Sequence, residues 1–116
     1  MKQFDLPIIH KSYQLYQLLY GFRKTISKMD RHTLWQRVED TTLDILEDLL
    51  KVGYLASDKR SEQLIKVSAR VDMLRIFLRL TFDVSILPKK KYIQLQEAID
   101  EIGRMLGGWM KSVKQK

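Results

Sequence analysis

The amino-acid sequence predicts an all-α protein that folds as an up-down-up-down antiparallel four-helix bundle. Apolar residues recur at three- and four-residue intervals through four long segments. No segment shows the apolar–polar alternation that marks a β-strand. The connections between the segments are short, which favours antiparallel neighbours. At 116 residues, the chain corresponds to a single four-helix-bundle domain over residues 1–116.

The first two helices are bounded by proline, aspartate and glycine. Pro7 can occupy the first position of a helix, and the apolar spacing predicts that this helix runs to about Met29. Asp30 is a good N-cap for the second helix, and Gly53 offers its C-cap. The apolar positions that mark these helices are Ile8, Leu15, Leu19, Phe22, Ile26 and Met29, followed by Leu34, Val38, Ile45, Leu49 and Val52.

The last two helices are also clearly bounded. Ser57 or Asp58 starts the third helix, which is predicted to end around Val84. Pro88 then opens the fourth helix. The apolar face of the fourth helix comprises Leu95, Ile99, Ile102, Leu106, Trp109 and Val113.

The third helix has two apolar stripes rather than one. The first comprises Leu64, Val67, Val71, Leu74 and Leu78. The second, more than a quarter-turn away, comprises Ile65, Ala69, Met73, Ile76 and Leu80. A small domain buries one core, so the second stripe predicts an interface with a partner, most simply another copy of the chain.

Three tyrosines, Tyr13, Tyr16 and Tyr20, share a stripe on the first helix. Tyrosines commonly border a core or fill a subunit interface, because one end of the side chain is apolar and the other polar. We therefore assign Tyr16 and Tyr20 to the predicted oligomer interface. The alternative is that the three rings stack on nucleic-acid bases beside Lys24 and Lys28.

The charge distribution favours a polyanionic partner. The formal net charge is +7. Of the four predicted helical segments, only residues 30–58 have a negative net charge, which is −4. Nucleic acid is the expected ligand, ahead of an anionic membrane. No apolar run approaches the roughly 20 residues needed to span a bilayer. The absence of cysteine excludes disulfides, thiolate nucleophiles and zinc–thiolate sites, and a cytoplasmic location is expected.

The candidate contacts for nucleic acid or a protein partner are basic. Lys89, Lys90 and Lys91 follow Pro88 and fall in the first turn of the fourth helix, where cations oppose the helix dipole. This departure from a local rule indicates phosphate contact, although a solvated loop is an equal alternative. The full set of candidates is Lys24, Lys28, Lys66, Arg70, Arg75, Arg79, Lys89, Lys90, Lys91 and Arg104.

No pattern in the sequence supports catalysis, a cofactor or a metal. Asp40, Asp44, Glu47 and Asp48 share a predicted outward face of the second helix. Di-metal sites in bundles also need Glu-x-x-His pairs, which the chain lacks. A solvated face, or one that forms salt bridges between subunits, is therefore expected. The histidines, His10 and His32, are both read as surface residues.

Residues 98–112 contain the distinctive run Gly-Arg-Met-Leu-Gly-Gly-Trp at positions 103–109. This segment resembles the C-terminal end of a family of small bacterial four-helix-bundle proteins. The family includes the accessory variability determinant (Avd) of diversity-generating retroelements and the proteins encoded by intervening sequences of large-subunit ribosomal RNA genes. The third-helix register and the Leu15–Tyr16 opening are also similar to that family.

The resemblance implies a non-enzymatic accessory subunit. Members of the retroelement branch form barrel-like homopentamers with a basic surface, bind the reverse transcriptase and its template RNA or DNA, and support mutagenic reverse transcription. Arg79 and Arg104 match basic positions of the family, although Arg104 could instead pair with Asp100 or Glu101. The alternative function is an oligomeric protein-interaction module of the ribosomal intervening-sequence type, with no role in a retroelement.

Overall fold

A computed structural model describes residues 6–114, and every regular element within that range is helical. The four long helices are α1 (Pro7–Phe22), α3 (Leu34–Val52), α4 (Ser57–Asp83) and α5 (Lys89–Lys114), with a single turn, α2 (Lys28–Arg31), between α1 and α3. Helices α1 and α4 each pack against both α3 and α5. They therefore occupy opposite corners of a four-helix bundle, and the predicted all-α class is confirmed.

One apolar core runs along the axis of the bundle. The first apolar stripe of α4, predicted to face the core, is buried in full. Trp35 on α3 is the largest of the fully buried side chains. The core residues of α5 are Leu95, Ile99, Ile102 and Leu106, while Trp109 and Val113 are half-buried at the end of the same face. The apolar spacing of α4 and α5 therefore identified the sides of these helices that face the core.

The first helix ends at Phe22, so the predicted continuation to Met29 is wrong. A 3₁₀ turn follows over Arg23–Thr25, and Ile26 then adopts extended backbone at φ −94° and ψ 134°. Ile26 is still buried, whereas Met29 is 74% exposed. The spacing of Ile26 and Met29 matches that of a helix only by chance, because both lie in the segment where the chain reverses direction between α1 and α3.

The cap assigned to Asp30 is also wrong. Ser27 caps α2, with its hydroxyl accepting a hydrogen bond from the Asp30 backbone N–H at 3.3 Å. That hydroxyl also donates to the Asp30 carboxylate at 2.8 Å. This Ser-x-x-Asp pairing is typical of a helix N-terminus, and it begins the separate helical turn α2. Helix α3 begins only after Thr33, so Lys24 and Lys28 both lie outside the long helices.

Ser85 has a left-handed backbone (φ 65°) in the connection between α4 and α5. The Ile86 N–H donates to the Thr81 carbonyl at 2.9 Å, and the Ser85 N–H donates to the Phe82 carbonyl at 3.0 Å. These two bonds form a Schellman motif, in which glycine usually occupies the position that serine holds here. The bonds satisfy carbonyls at the end of α4 and direct the chain into α5.

We expect Ser85→Gly to stabilise the protein by about 0.5 kcal/mol. Glycine removes the clash of Cβ in the left-handed region, and the greater entropy of the unfolded chain offsets part of that gain. Urea unfolding followed by circular dichroism measures the change. Ser61→Gly, within α4, serves as the control and should instead lower stability by about 0.5 kcal/mol. Destabilisation by Ser85→Gly would contradict the strain assigned to this position.

Candidate interaction surfaces

The ends of α1 and α4 and the starts of α3 and α5 meet at one end of the bundle. Lys91, at the start of α5, donates a hydrogen bond from Nζ to the Thr25 hydroxyl at 3.2 Å. The same Nζ lies 4.9 Å from the centre of the Phe22 ring. On the neighbouring side, the Arg37 guanidinium of α3 lies 5.0 Å from the centre of the Phe77 ring of α4. These contacts bring together basic residues that are far apart in sequence.

We call this region the basic end. It comprises Lys24, Lys28, Arg31, Arg37, Lys89, Lys90 and Lys91. Within residues 6–114, none of these cations forms an ion pair. Of the nearby acids, Asp30, Glu39 and Asp83 are hydrogen-bonded to Ser27, Arg23 and Arg79, respectively, whereas Asp40 lines a cavity with Arg37. The positive charge of the basic end is therefore largely uncompensated.

The helix termini add to the positive potential at the basic end. Helices α3 and α5 both begin there, and neither has an acidic residue in its first turn. Helix N-termini carry partial positive charge because their first N–H groups lack partners within the helix. Arg31 and Arg37 were not among the predicted contacts; both belong to residues 30–58, the segment with a net negative charge. The reversal of the chain after Phe22 places both residues at the end of the bundle where α5 begins.

Arg70, another candidate contact, is engaged in a clamp between α3 and α4. Its Nε donates to Asp48 Oδ2 at 2.7 Å, and its Nη1 donates to Asp44 Oδ2 at 3.3 Å. Asp48 is only 3% exposed, so its predicted place on an outward face is wrong. Glu47 and Asp40 are exposed, and Glu47 pairs with Lys51 within the helix. The salt bridges of Asp44 and Asp48 therefore form within the protomer.

Two further arginines of the candidate list also have intramolecular partners. Arg75 Nη1 donates to Asp72 at 3.1 Å, and its Nε donates to Asp100 on α5 at 3.3 Å. Arg79 Nε donates to Asp83 at 3.0 Å, and this hydrogen bond raises the pKa of the Arg79 guanidinium above its ordinary value. Both guanidinium groups therefore use some of their N–H donors for hydrogen bonds within their own protomer.

Lys66 and Arg104 are exposed away from the basic end, and neither forms an ion pair within the described part of the chain. Glu101 pairs with Lys11 at 3.3 Å, and Asp100 pairs with Arg75. The alternative salt bridge predicted for Arg104 is therefore not formed.

The glycines of the Gly-Arg-Met-Leu-Gly-Gly-Trp run have different surroundings. The Arg75 guanidinium lies so close over Gly103 that a Cβ at this position would displace it. Gly107 and Gly108 are exposed, with open space where a Cβ would project. Only Gly103 therefore permits a close approach between helices.

A buried carboxylate fixes the turn that carries part of the basic end. Glu39 on α3 is 2% exposed and accepts a hydrogen bond from Trp35 Nε1 at 3.2 Å. Its two oxygens also accept from Arg23 Nη2 at 2.5 Å and Arg23 Nε at 3.2 Å. This bidentate hydrogen bonding raises the pKa of the Arg23 guanidinium. This network was not predicted from the sequence, although Trp35 and Glu39 are spaced four residues apart on the core side of α3.

The second apolar stripe of α4 lies outside the core, as predicted. We call it the outer strip, comprising Ile65, Ala69, Met73, Ile76 and Leu80. Its four large side chains are between 44% and 62% exposed. A run of apolar residues along one helix face is unusual on the surface of a soluble monomer and is typical of an interaction site.

A second apolar surface lies between α1 and α3. We call it the tyrosine groove, a concavity of about 580 Å³ lined by Tyr13, Tyr16, Gln17, Tyr20, Leu43 and Leu46. The Tyr16 and Tyr20 ring centres are 6.4 Å apart, and the Arg23 guanidinium covers the Tyr20 ring at 5.3 Å. Lys24 and Lys28 do not line the groove. Leu43 and Leu46 were not predicted to belong to this surface.

Within residues 6–114, no helix is long and apolar enough to cross a bilayer. In the same range, no three His, Asp or Glu side chains are grouped in a way that could hold a metal ion. His10 and His32 are both exposed.

The geometry defines a class of protein: a small helical bundle with a charged end and two apolar lateral surfaces. The family described as bAvd-like matches residues 6–113. The match covers nearly the whole chain, and the protein therefore belongs to the bAvd-like family. This confirms the resemblance seen at residues 98–112. A comparison with curated proteins finds no match.

We expect Glu39→Gln to destabilise the protein by about 2 kcal/mol, because a neutral amide cannot replace the charge-assisted bonds to Arg23. Chemical denaturation measures the loss, and a double-mutant cycle with Arg23→Ala isolates the interaction between the two residues. Glu47→Gln is the matched control on the same helix. Its exposed i,i+4 pair should contribute less than about 0.5 kcal/mol. Equal effects of the two glutamine variants would contradict the structural role of Glu39.

Proposed function

We propose that this protein is a non-enzymatic accessory subunit of a diversity-generating retroelement. In this role it binds the reverse transcriptase and RNA or DNA, and it supports mutagenic reverse transcription. The observation that carries the proposal is the basic end, where cations from three separate segments converge without ion-pair partners within residues 6–114. Family membership supplies the retroelement context.

The chemistry of the basic end favours phosphate contact over base reading. Lys24, Lys28, Lys89 and Lys90 are exposed ammonium groups that can each neutralise a backbone phosphate. Each neutralised phosphate releases condensed counterions, so affinity should fall steeply with salt. No helix within residues 6–114 presents a recognition motif for base edges, and we therefore expect little sequence specificity.

Assembly would multiply these contacts. The outer strip supports a homo-oligomer, because association would remove its exposed apolar side chains from water. The family resemblance gives a homopentamer as the expected state. Several copies of the basic end on one particle would then bind a polyanion with avidity. A reverse-transcriptase gene beside paired variable and template repeats is the expected genomic context.

We expect the double variant Lys89→Gln/Lys90→Gln to bind single-stranded RNA more weakly than the wild-type protein. If both lysines contact phosphate, the slope of log affinity against log salt should decrease in magnitude by about 1.4 per protomer. A fluorescence-anisotropy titration at several salt concentrations measures this slope. Lys91 is retained, because it bonds to Thr25 and covers the Phe22 ring.

Lys59→Gln/Lys111→Gln provides a control with the same loss of net charge. Both residues are exposed, and neither is part of the basic end. Equal weakening by the two double variants would mean that net charge alone drives binding, and it would remove the basic end from the mechanism. The Lys89→Gln/Lys90→Gln variant should also be more stable by up to about 0.5 kcal/mol per residue, because it removes cations from a helix N-terminus. Unfolding therefore cannot account for weaker binding.

The protein partner can be tested separately from nucleic acid. Nuclease-treated protein should co-purify with the reverse transcriptase encoded nearby. Self-association without RNA binding at low salt would instead favour the protein-interaction module of the ribosomal intervening-sequence type.

A further inference from the structure

We propose that the rings of Phe82 and Tyr92 form a stacking platform for an unpaired nucleobase of a single strand bound at the basic end. We call the two rings the aromatic platform. The inference rests on the nucleic-acid binding included in the proposed function. It adds a contact to the bases, which the lysines of the basic end do not provide.

The aromatic platform lies in the seam between α4 and α5, where both helices reach the basic end. Phe82 belongs to the last turn of α4, and Tyr92 belongs to the first turn of α5. The ring centres are 4.8 Å apart and the ring planes are inclined by 14°, so the rings are stacked. Tyr92 packs against the core, and both side chains are half-buried. The core therefore supports Tyr92, and Tyr92 supports the Phe82 ring from behind.

A loosely held arginine covers the Phe82 ring. The Arg79 guanidinium lies 6.0 Å from the ring centre, at the outer limit of cation–π attraction, so a base could displace it at little cost. Hydrogen bonding to Asp83, and to a smaller extent to Tyr92, raises the pKa of Arg79, whose side chain is 63% exposed. A guanidinium has five N–H donors, more than these two contacts use. Arg79 can therefore bind the phosphate beside the stacked base.

Two other aromatic rings near the basic end have a closer cation. Lys91 Nζ lies 4.9 Å from the centre of the Phe22 ring, and the Arg37 guanidinium lies 5.0 Å from the centre of the Phe77 ring. Cation–π attraction weakens with distance, so these cations are harder to displace than Arg79. Of the three covered rings, the Phe82 ring is therefore the one that a base can reach most easily.

A phosphate contact lies next to the aromatic platform. Lys89 is exposed and precedes Tyr92 by three residues, so the two side chains share a face of α5. A strand whose phosphate is bound by Lys89 passes the rings, and an unpaired base of that strand can stack on Phe82. The bases of a duplex are already stacked on one another. Stacking on aromatic rings tolerates any base, which agrees with the low sequence specificity expected of the basic end.

Three RNA probes of equal length separate stacking from charge: a single strand, the same strand with abasic residues, and a duplex. The abasic strand keeps the phosphates and lacks the bases. We expect the wild-type protein to bind the base-bearing single strand about fivefold more tightly than the abasic strand, because the stacked base adds affinity. Phe82→Leu keeps an apolar side chain without an aromatic face. It should bind these two strands equally and bind the duplex as the wild-type protein does.

Fluorescence anisotropy at several salt concentrations measures these affinities. Phe82→Leu should leave the slope of log affinity against log salt unchanged, because stacking releases no counterions from phosphate. Phe82→Tyr keeps an aromatic ring and should retain the preference for the base-bearing strand. Tyr13→Leu is the matched control, since Tyr13 is an aromatic residue 42% exposed in the tyrosine groove. Circular dichroism, together with binding of the abasic strand, shows that each variant is folded.

Three results would overturn the proposal. The wild-type protein could bind the base-bearing and abasic strands equally, which would exclude stacking. A folded Phe82→Leu protein could keep the full preference for bases, or could lose affinity for all three probes equally. Loss of the preference in Tyr13→Leu would instead assign stacking to the tyrosine groove. In each case a salt-dependent affinity lowered by Lys89→Gln/Lys90→Gln would leave the proposed function standing, whereas absence of RNA binding at low salt would remove both.

Discussion

Helix α4 has apolar side chains on two of its sides, and the form of the molecule follows from this constraint. Its inner stripe, from Leu64 to Leu78, is buried against α3 and α5, and this packing places α4 at a corner of the bundle. Among the described residues 6–114, no neighbour covers its outer strip. Burial of apolar area stabilises a folded protein or a complex by about 25 cal/mol per Å². A partner that covered the outer strip would therefore add stabilisation that the isolated chain lacks. A helix with this pattern completes the core of its own protomer and also favours association with another chain.

The distribution of ion pairs determines where the positive charge remains. Asp44 and Asp48 are engaged by Arg70, Asp100 by Arg75, and Glu39 by Arg23. These pairs connect helices along the sides of the bundle or secure the turn after α1, so they neutralise charge locally. Within residues 6–114, the acids near the basic end, Asp30, Asp40 and Asp83, form no ion pair with its cations. Part of the net charge of +7 therefore remains at one end of the bundle, where the lysine run at 89–91 lies at the same end as the cations of the turn after α1.

Periodicity in the sequence predicted the helices and their buried faces, because a residue's angle around a helix axis depends only on its position in the chain. The positions of Gly53 and Pro88 also predicted two helix boundaries. Periodicity could not reveal the break after Phe22, since Ile26 kept helical spacing while the backbone left the helix. The Ser27–Asp30 pair was the available signal for that break. The burial of Asp48 could not be predicted either, because its partner Arg70 lies on another helix. The sequence alone does not specify which side chains face each other between two packed helices.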